Sequence, residues 1–196
     1  MDGLAKLNVK WGCETRVDFV DKDLLRRMKD AGCVLIRYGI ESFNQKSLDL
    51  LGKKLDVTKM LNNLELTFDI GIREVRCSFM IGIPGENPED IENTFKWCRK
   101  FPTMKARFWA LHPVPGTYLY ENMQKYGIGF QERIFQTDHS NIFTGQLSNQ
   151  EINTLITQAH NEFGNPLEFS HSDFSSIILR DENGNISRGL AGILQG

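Results

Sequence analysis

The run Ser78-Phe79-Met80-Ile81-Gly82-Ile83-Pro84-Gly85-Glu86, continued by Asn87-Pro88-Glu89-Asp90, constrains this chain more than any other stretch. Its first half is apolar on both faces, which fits a parallel strand covered on two sides. Gly82 and Gly85 then interrupt the run and are expected to leave backbone uncovered at the strand's carboxyl end, where a flat ligand can lie. Asn87 is a good helix N-cap, Pro88 suits the first helical position, and Glu89 and Asp90 complement the dipole of the first turn. The stretch reads as strand, turn and helix. In α/β folds the carboxyl ends of strands are where ligands bind, although an ordinary βα turn has the same signature.

The same unit recurs along the chain. Residues 7–11 predict a short strand whose outgoing loop carries Thr15 and Arg16. Asp21 caps a helix with the apolar stripe Leu24, Leu25 and Met28, and Gly32 ends it. Val34 to Ile40 is a second strand ending at Glu41 and Ser42, and residues 47–51 a brief helix. Asp56 or Thr58 starts a helix bearing Met60, Leu61, Leu64 and Phe68. The third strand covers 74–83 and its helix 88–101; the fourth strand covers 105–114 and its helix 118–126. Four βα units in a row imply a parallel sheet with right-handed crossovers. The fold class is therefore α/β: a partial (β/α) barrel of about four units over residues 1–126, with a C-terminal extension over 127–196. That extension reads as a surface loop at 127–145, a helix from the capping box Ser148–Glu151 to about Phe163, and a β-hairpin around Asn183-Gly184.

Composition narrows the function classes. With 196 residues, 40% of them hydrophobic, the chain can bury a core. A net charge of −2, from 23 basic and 25 acidic residues, gives no electrostatic case for nucleic acid or an anionic membrane. No apolar run is long enough to span a bilayer and the N-terminus lacks a signal-peptide core, so the expected location is the cytoplasm. Cys13, Cys33, Cys77 and Cys98 form neither C-x-x-C nor C-x-x-x-C-x-x-C, which leaves no local cysteine motif for a metal or iron–sulfur site. Idle thiols in a reducing compartment are the expectation.

Several polar groups stand at predicted strand ends. Glu41 can accept hydrogen bonds from ribose hydroxyls or an amino group, and Ser42 can donate to a ligand carboxylate. Ser42 equally fits the N-cap of a helix beginning at Phe43. Arg16 can grip a carboxylate with its guanidinium fork or simply be solvated. His112, before the rigid run Pro113-Val114-Pro115-Gly116, can act as ligand or base or be merely hydrogen-bonded. No Ser/His/Asp set, P-loop or paired catalytic carboxylates can be assembled.

These signals fall in one succession: Arg16-Val17-Asp18, Ala31-Gly32-Cys33, Gly39-Ile40-Glu41-Ser42, Lys53-Lys54, Phe79 to Glu86, Glu89-Asp90 and Pro113 to Tyr120. That succession, from about Leu7 to Phe163, resembles the later part of the radical S-adenosylmethionine enzymes, especially members with a cobalamin-binding domain ahead of the radical domain. The resemblance implies that Glu41 and Ser42 meet the ribose and methionine end of S-adenosylmethionine and that Arg16 reaches its carboxylate. Ser78, Met80 and Gly82 match the family's G-x-I-x-G strand, whose backbone meets the adenine; Ser78 replaces a glycine and Met80 an isoleucine. Residues 111–114, with His112 and Val114, would flank the adenine from the last strand.

The family holds a [4Fe–4S] cluster on C-x-x-x-C-x-x-C in the loop after its first strand and builds six βα units. This chain shows neither the motif nor the first two units. The expectation is the C-terminal portion of a longer enzyme, with the cluster present only in the intact protein and cobalamin, where used, held by a domain outside this sequence. Alone, the chain is expected to catalyse no radical reaction, and no catalytic residue or metal ligand is assigned. Its exposed barrel edge is expected to favour a homo-oligomer. Two other readings stay open: a non-catalytic binding or scaffold module derived from this fold, and an unrelated α/β barrel fragment that binds phosphate at residues 85–89. Glu86, Glu89 and Asp90 crowd the latter spot with negative charge. The substrate is not legible.

Overall fold

The computed structural model describes residues 2–130, 140–164, 179–180 and 186–187. The chain opens with a single helical turn, α1 (Asp2–Lys6), before strand β1 (Trp11–Thr15). Then follow α2 (Lys22–Asp30), β2 (Cys33–Glu41), α3 (Gln45–Leu50), α4 (Val57–Ile70) and β3 (Glu74–Ile81). The last unit is α5 (Pro88–Arg99), β4 (Lys105–Ala110) and the short α6 (Tyr118–Glu121). The four strands form one all-parallel sheet in the order β1-β2-β3-β4, and among the described residues it does not close into a barrel. Every carboxyl end therefore lies on the same edge of the sheet.

Alternation along the strands sorts the two faces. Ile36, Tyr38 and Ile40 of β2, Cys77, Phe79 and Ile81 of β3, and Phe108 of β4 are almost completely buried. They meet the helices in a ring stack: Phe79 on Phe108 at 4.9 Å between centroids, and Phe95 of α5 edge-on to Phe108 at 5.0 Å. Truncating one such ring to alanine is worth about 3–5 kcal/mol. The opposite face carries Arg37 and Gly39 of β2, Ser78 and Met80 of β3, and Arg107 and Trp109 of β4, paired Gly39 with Ser78, Ser78 with Arg107 and Met80 with Trp109.

Local chemistry explains the helix ends. Asn87 and Asp90 form a capping box at the start of α5, with Pro88 inside the first turn. Gly71 closes α4 at φ +79°, a conformation in which a side chain is strained. Helix α7 (Asn149–Phe163) opens on a second capping box, Ser148 with Glu151, as expected.

Several boundaries depart from the sequence expectation. The first strand is 11–15 and not 7–11, because residues 7 and 8 belong to the turn that ends α1: the Leu7 and Asn8 amides donate back to the Leu4 and Ala5 carbonyls, and Asn8 takes φ +49°. The fourth strand stops at Ala110, and the predicted helix over 118–126 is broken at Asn122 into α6 and a 3-10 turn over 123–126. The predicted surface loop at 127–145 contains an antiparallel ladder of β5 (Gly129–Phe130) with β6 (Ile142–Phe143). Ile128 and Ile142 there, with Leu147 just beyond, join the core, a burial that no periodicity announced. Strands β7 (Leu179–Arg180) and β8 (Ile186–Ser187) pair antiparallel on either side of the predicted Asn-Gly turn, which itself lies outside the described residues. No helix among the described residues is long and apolar enough to cross a membrane.

Candidate functional site

The residues singled out in the sequence gather at the carboxyl edge of the sheet. Arg16 follows β1, Glu41 ends β2 and Ser42 follows it, and Met80 is next to last in β3; Gly82 follows β3, and His112 and Val114 follow β4. Ser78 lies deeper, between Gly39 and Arg107 on the face turned away from the helices.

Lys53, in the loop after α3, holds two of them together. Its backbone carbonyl accepts a hydrogen bond of 2.8 Å from Arg16 Nη2, and its ammonium donates to Glu41 Oε1 at 2.5 Å. Arg16 also forks onto Asp18, at 3.0 Å from Nε to Oδ1 and 3.0 Å from Nη2 to Oδ2, and sits over the Phe19 ring. The ends of β1 and β2 are thus joined by polar contacts through one lysine. Arg16 is already engaged and is not a bare clamp for a ligand carboxylate.

Glu41 owes its place to an irregularity. The β2–β3 register shifts between Gly39 and Glu41, and Glu41 takes a left-handed φ of +71°. Such a bulge re-aims a side chain at the end of a ladder, and a non-glycine residue in this region stores strain. The turned carboxylate lies back over Gly39, whose absent Cβ would stand 3.0 Å from Glu41 Oε1 and 3.5 Å from Lys53 Nζ.

Ser42 goes elsewhere. Its hydroxyl is buried, donates to Glu86 Oε1 at 2.9 Å and accepts the Asn44 N–H at 3.1 Å. The cap of α3 is Asn44, whose Oδ1 accepts from the Lys46 and Ser47 amides, so Ser42 is not the N-cap it resembled in sequence. Adjacent in sequence, Glu41 and Ser42 diverge, one toward the mouth and one under it. Glu86 is the residue that sequence reasoning missed as a partner; its place directly after Gly85 was visible, but its burial was not. Glu86 Oε1 accepts a second hydroxyl, from Ser47 at 2.8 Å, and burial pushes the carboxyl up to about 7.

Gly82 is not open backbone either. It is buried, has φ +93°, and a Cβ there would meet Ile152 Cδ1 of α7 at 3.3 Å. Gly85 is exposed, with φ +88° and its N–H on Gln146 Oε1 at 3.0 Å. Val114 is exposed and His112 half-buried beside it. The N-terminus of α5, the place considered for a phosphate, is occupied by its own capping box.

The thiols do not fit an iron–sulfur cluster. Cys77 and Cys98 are buried on the helix-facing side, and burial pushes both thiols well up, away from the thiolate a metal needs. Cys13 and Cys33 influence each other, Cys33 lowering Cys13 and Cys13 raising Cys33, while the Cys33 thiol donates to Leu35 O at 3.5 Å. Among the described residues no group of three or more histidine, cysteine or acidic side chains can hold a metal.

Comparison with known proteins bears on the family and the fold. Residues 2–98 match the family model of the Radical SAM superfamily. An uncharacterized methyltransferase of Pyrococcus horikoshii is 30% identical over 115 residues, covering 59% of this chain and 25% of that protein. Anaerobic magnesium-protoporphyrin IX monomethyl ester cyclase of Rubrivivax gelatinosus is 28% identical over 141 residues, 70% of this chain and 24% of the cyclase. The chain thus spans about a quarter of the length of these relatives. In structure it resembles the radical S-adenosylmethionine methyltransferase TsrM of Kitasatospora setae, solved with cobalamin and a [4Fe–4S] cluster, at a TM-score of 0.58 and 14% identity over 94% of this chain and 35% of that one. Coproporphyrinogen III oxidase of Escherichia coli, described as a radical SAM enzyme, gives a TM-score of 0.56 at 15% identity over 78% of this chain and 31% of that one.

Proposed function

This chain is related to the radical SAM superfamily, and from that premise we propose that it supplies the S-adenosylmethionine-binding half of a radical enzyme's barrel. The observation that carries the reading is the Lys53 bridge, which sets Arg16 and Glu41 on one rim beside the Gly39–Ser78 pair. Glu41 would accept the ribose hydroxyls or the amino group. The backbone of residues 78–81 would run along the adenine, short of the covered Gly82, with His112 and Val114 at its flank. Ser42 would act from beneath, by holding the turn of β2 in place. S-adenosylmethionine supplies, on one-electron reduction, a carbon radical, and the iron–sulfur cluster that delivers the electron would take its thiolates from outside these residues. Cobalamin, which TsrM binds, would likewise need a separate domain.

A non-catalytic module built on the same fold is the second reading, and the poor fit of the four cysteines to a cluster favours it. It shares the nucleoside-binding rim and differs only in chemistry. The phosphate reading is weaker, since the α5 amides near Asn87 are satisfied internally.

Calorimetry with S-adenosylmethionine against ribose 5-phosphate tests the proposal. Saturable binding of the nucleoside alone is expected, weakened about tenfold in Glu41→Gln, which corresponds to about 1.4 kcal/mol. No heat with S-adenosylmethionine, or equal binding of the sugar phosphate, would overturn it.

A further inference from the structure

We infer that Glu86 is a positioning residue, a buried carboxyl that locks the turn after β2 to the turn after β3 and so fixes the rim on which the nucleoside would lie. The inference rests on the reading of that rim as a nucleoside site. Glu86 is 2% exposed. Its Oε1 accepts from Ser42 Oγ at 2.9 Å and from Ser47 Oγ at 2.8 Å, and its own N–H donates to Ile83 O at 3.1 Å. Ser42 in turn receives the Asn44 amide, and Asn44 Nδ2 donates to Asp90 Oδ1 at 2.6 Å on the first turn of α5. One carboxyl oxygen therefore ties together the end of β2, the first turn of α3 and the β3–α5 turn, residues 39 and 44 positions apart in the chain.

The second oxygen, Oε2, is shielded from solvent and has no hydrogen-bond partner. Among the described residues no cation pairs with Glu86. The charges facing it are unfavourable or already committed: Asp90 on α5 repels an anion, the Glu41–Lys53 pair lies beside Ser42 on β2, and Lys46 and Asp49 of α3 are exposed. A buried, unpaired carboxylate oxygen is costly, whereas a neutral acid costs far less. The arrangement suits the neutral acid, with the proton on Oε2 and both serine hydroxyls donating to Oε1. An apolar residue of equal size would leave those two hydroxyls without an acceptor.

Hydrogen exchange on the full chain without ligand tests the lock, with Glu86→Gln, Glu86→Ala and Ser47→Ala beside the wild type. Glutamine keeps the Oε1 acceptor and is neutral. It is expected to retain wild-type protection of the amides at 43–48 and 83–86, whereas alanine loses at least tenfold in both segments while β3 and β4 stay protected. After correction for intrinsic exchange, the wild type is expected to loosen in these segments above pH 7 and Glu86→Gln to show no such step. Should Glu86→Ala unfold, Ser47→Ala, which keeps the acid, is expected to loosen both segments by a smaller factor. Unchanged protection in Glu86→Ala, or loosening of α3 alone in Ser47→Ala, would overturn the lock. S-adenosylmethionine titration of the same proteins separates the two claims. Loss of affinity in alanine with retention in glutamine supports both, and no binding by any protein sinks the nucleoside reading while the exchange result still judges the lock.

Discussion

Lys53 Nζ stands 2.5 Å from Glu41 Oε1, and the pair is folded back over the bare Cα of Gly39. The absence of a side chain at Gly39 is therefore what lets a strained, left-handed Glu41 find its partner. Neither an ion pair with one partner 29% exposed nor the glycine means much alone, since such pairs contribute about 0–1 kcal/mol. Together they fix the direction of a carboxylate at the mouth of the sheet.

Gly39→Ala puts a methyl group 3.0 Å from that carboxylate, and the atoms it meets are the flexible ends of side chains. At this half-buried position the fold is expected to lose about 1 kcal/mol at most, the usual size of a single substitution. The Glu41–Lys53 pair is expected to be displaced, with S-adenosylmethionine affinity falling several-fold. Urea denaturation and calorimetry on the same variant measure the two effects, and a large stability loss with intact affinity would contradict the assignment.

Gly82→Ala should behave in the opposite way. Its φ of +93° strains any side chain, and the new Cβ meets Ile152 at 3.3 Å. A loss of about 1–3 kcal/mol is expected, typical of backbone strain. In a double-mutant cycle with Ile152→Ala only the contact part should be recovered, leaving the φ penalty in place.

Stability should depend on pH through Glu86. Its folded value of about 7 lies above its ordinary 4.5, so the fold favours the protonated form. The contribution is complete below about pH 4.5, declines as pH rises toward 7, and is lost above. The decline is on the order of 3 kcal/mol at most. Glu74 works in the reverse sense: burial opposes its ionisation, but Arg76 and Lys105 hold it below its usual range, so its stabilisation is lost only in acid. The difference between wild type and Glu86→Gln in urea melts at pH 5 and pH 8 isolates the Glu86 part.

Anaerobic reconstitution with iron and sulfide should leave this chain without a stable [4Fe–4S] cluster by electron paramagnetic resonance, because among the described residues no three ligating side chains come together and three of the four thiols are buried. A stoichiometric, stable cluster would contradict the placement of the cluster ligands outside these residues.

The order of the βα units, the capped starts of α5 and α7 at Asn87 and Ser148, and the stop at Gly71 were all set by sequence. Each depends on residues within one turn of each other, where spacing alone carries the hydrogen bond. Tertiary structure decided the rest. It broke the β2–β3 register after Gly39, sent Glu41 to Lys53 and Ser42 to Glu86, buried Gly82 under Ile152, and drew residues 128 and 142 into the core. Those outcomes hinge on groups 12 to 70 positions apart, from Glu41 and Lys53 to Gly82 and Ile152, which meet only when neighbouring strands and helices pack. Local patterning fixes where an element begins, while the direction of a polar side chain at its end is fixed by whichever distant group can satisfy it.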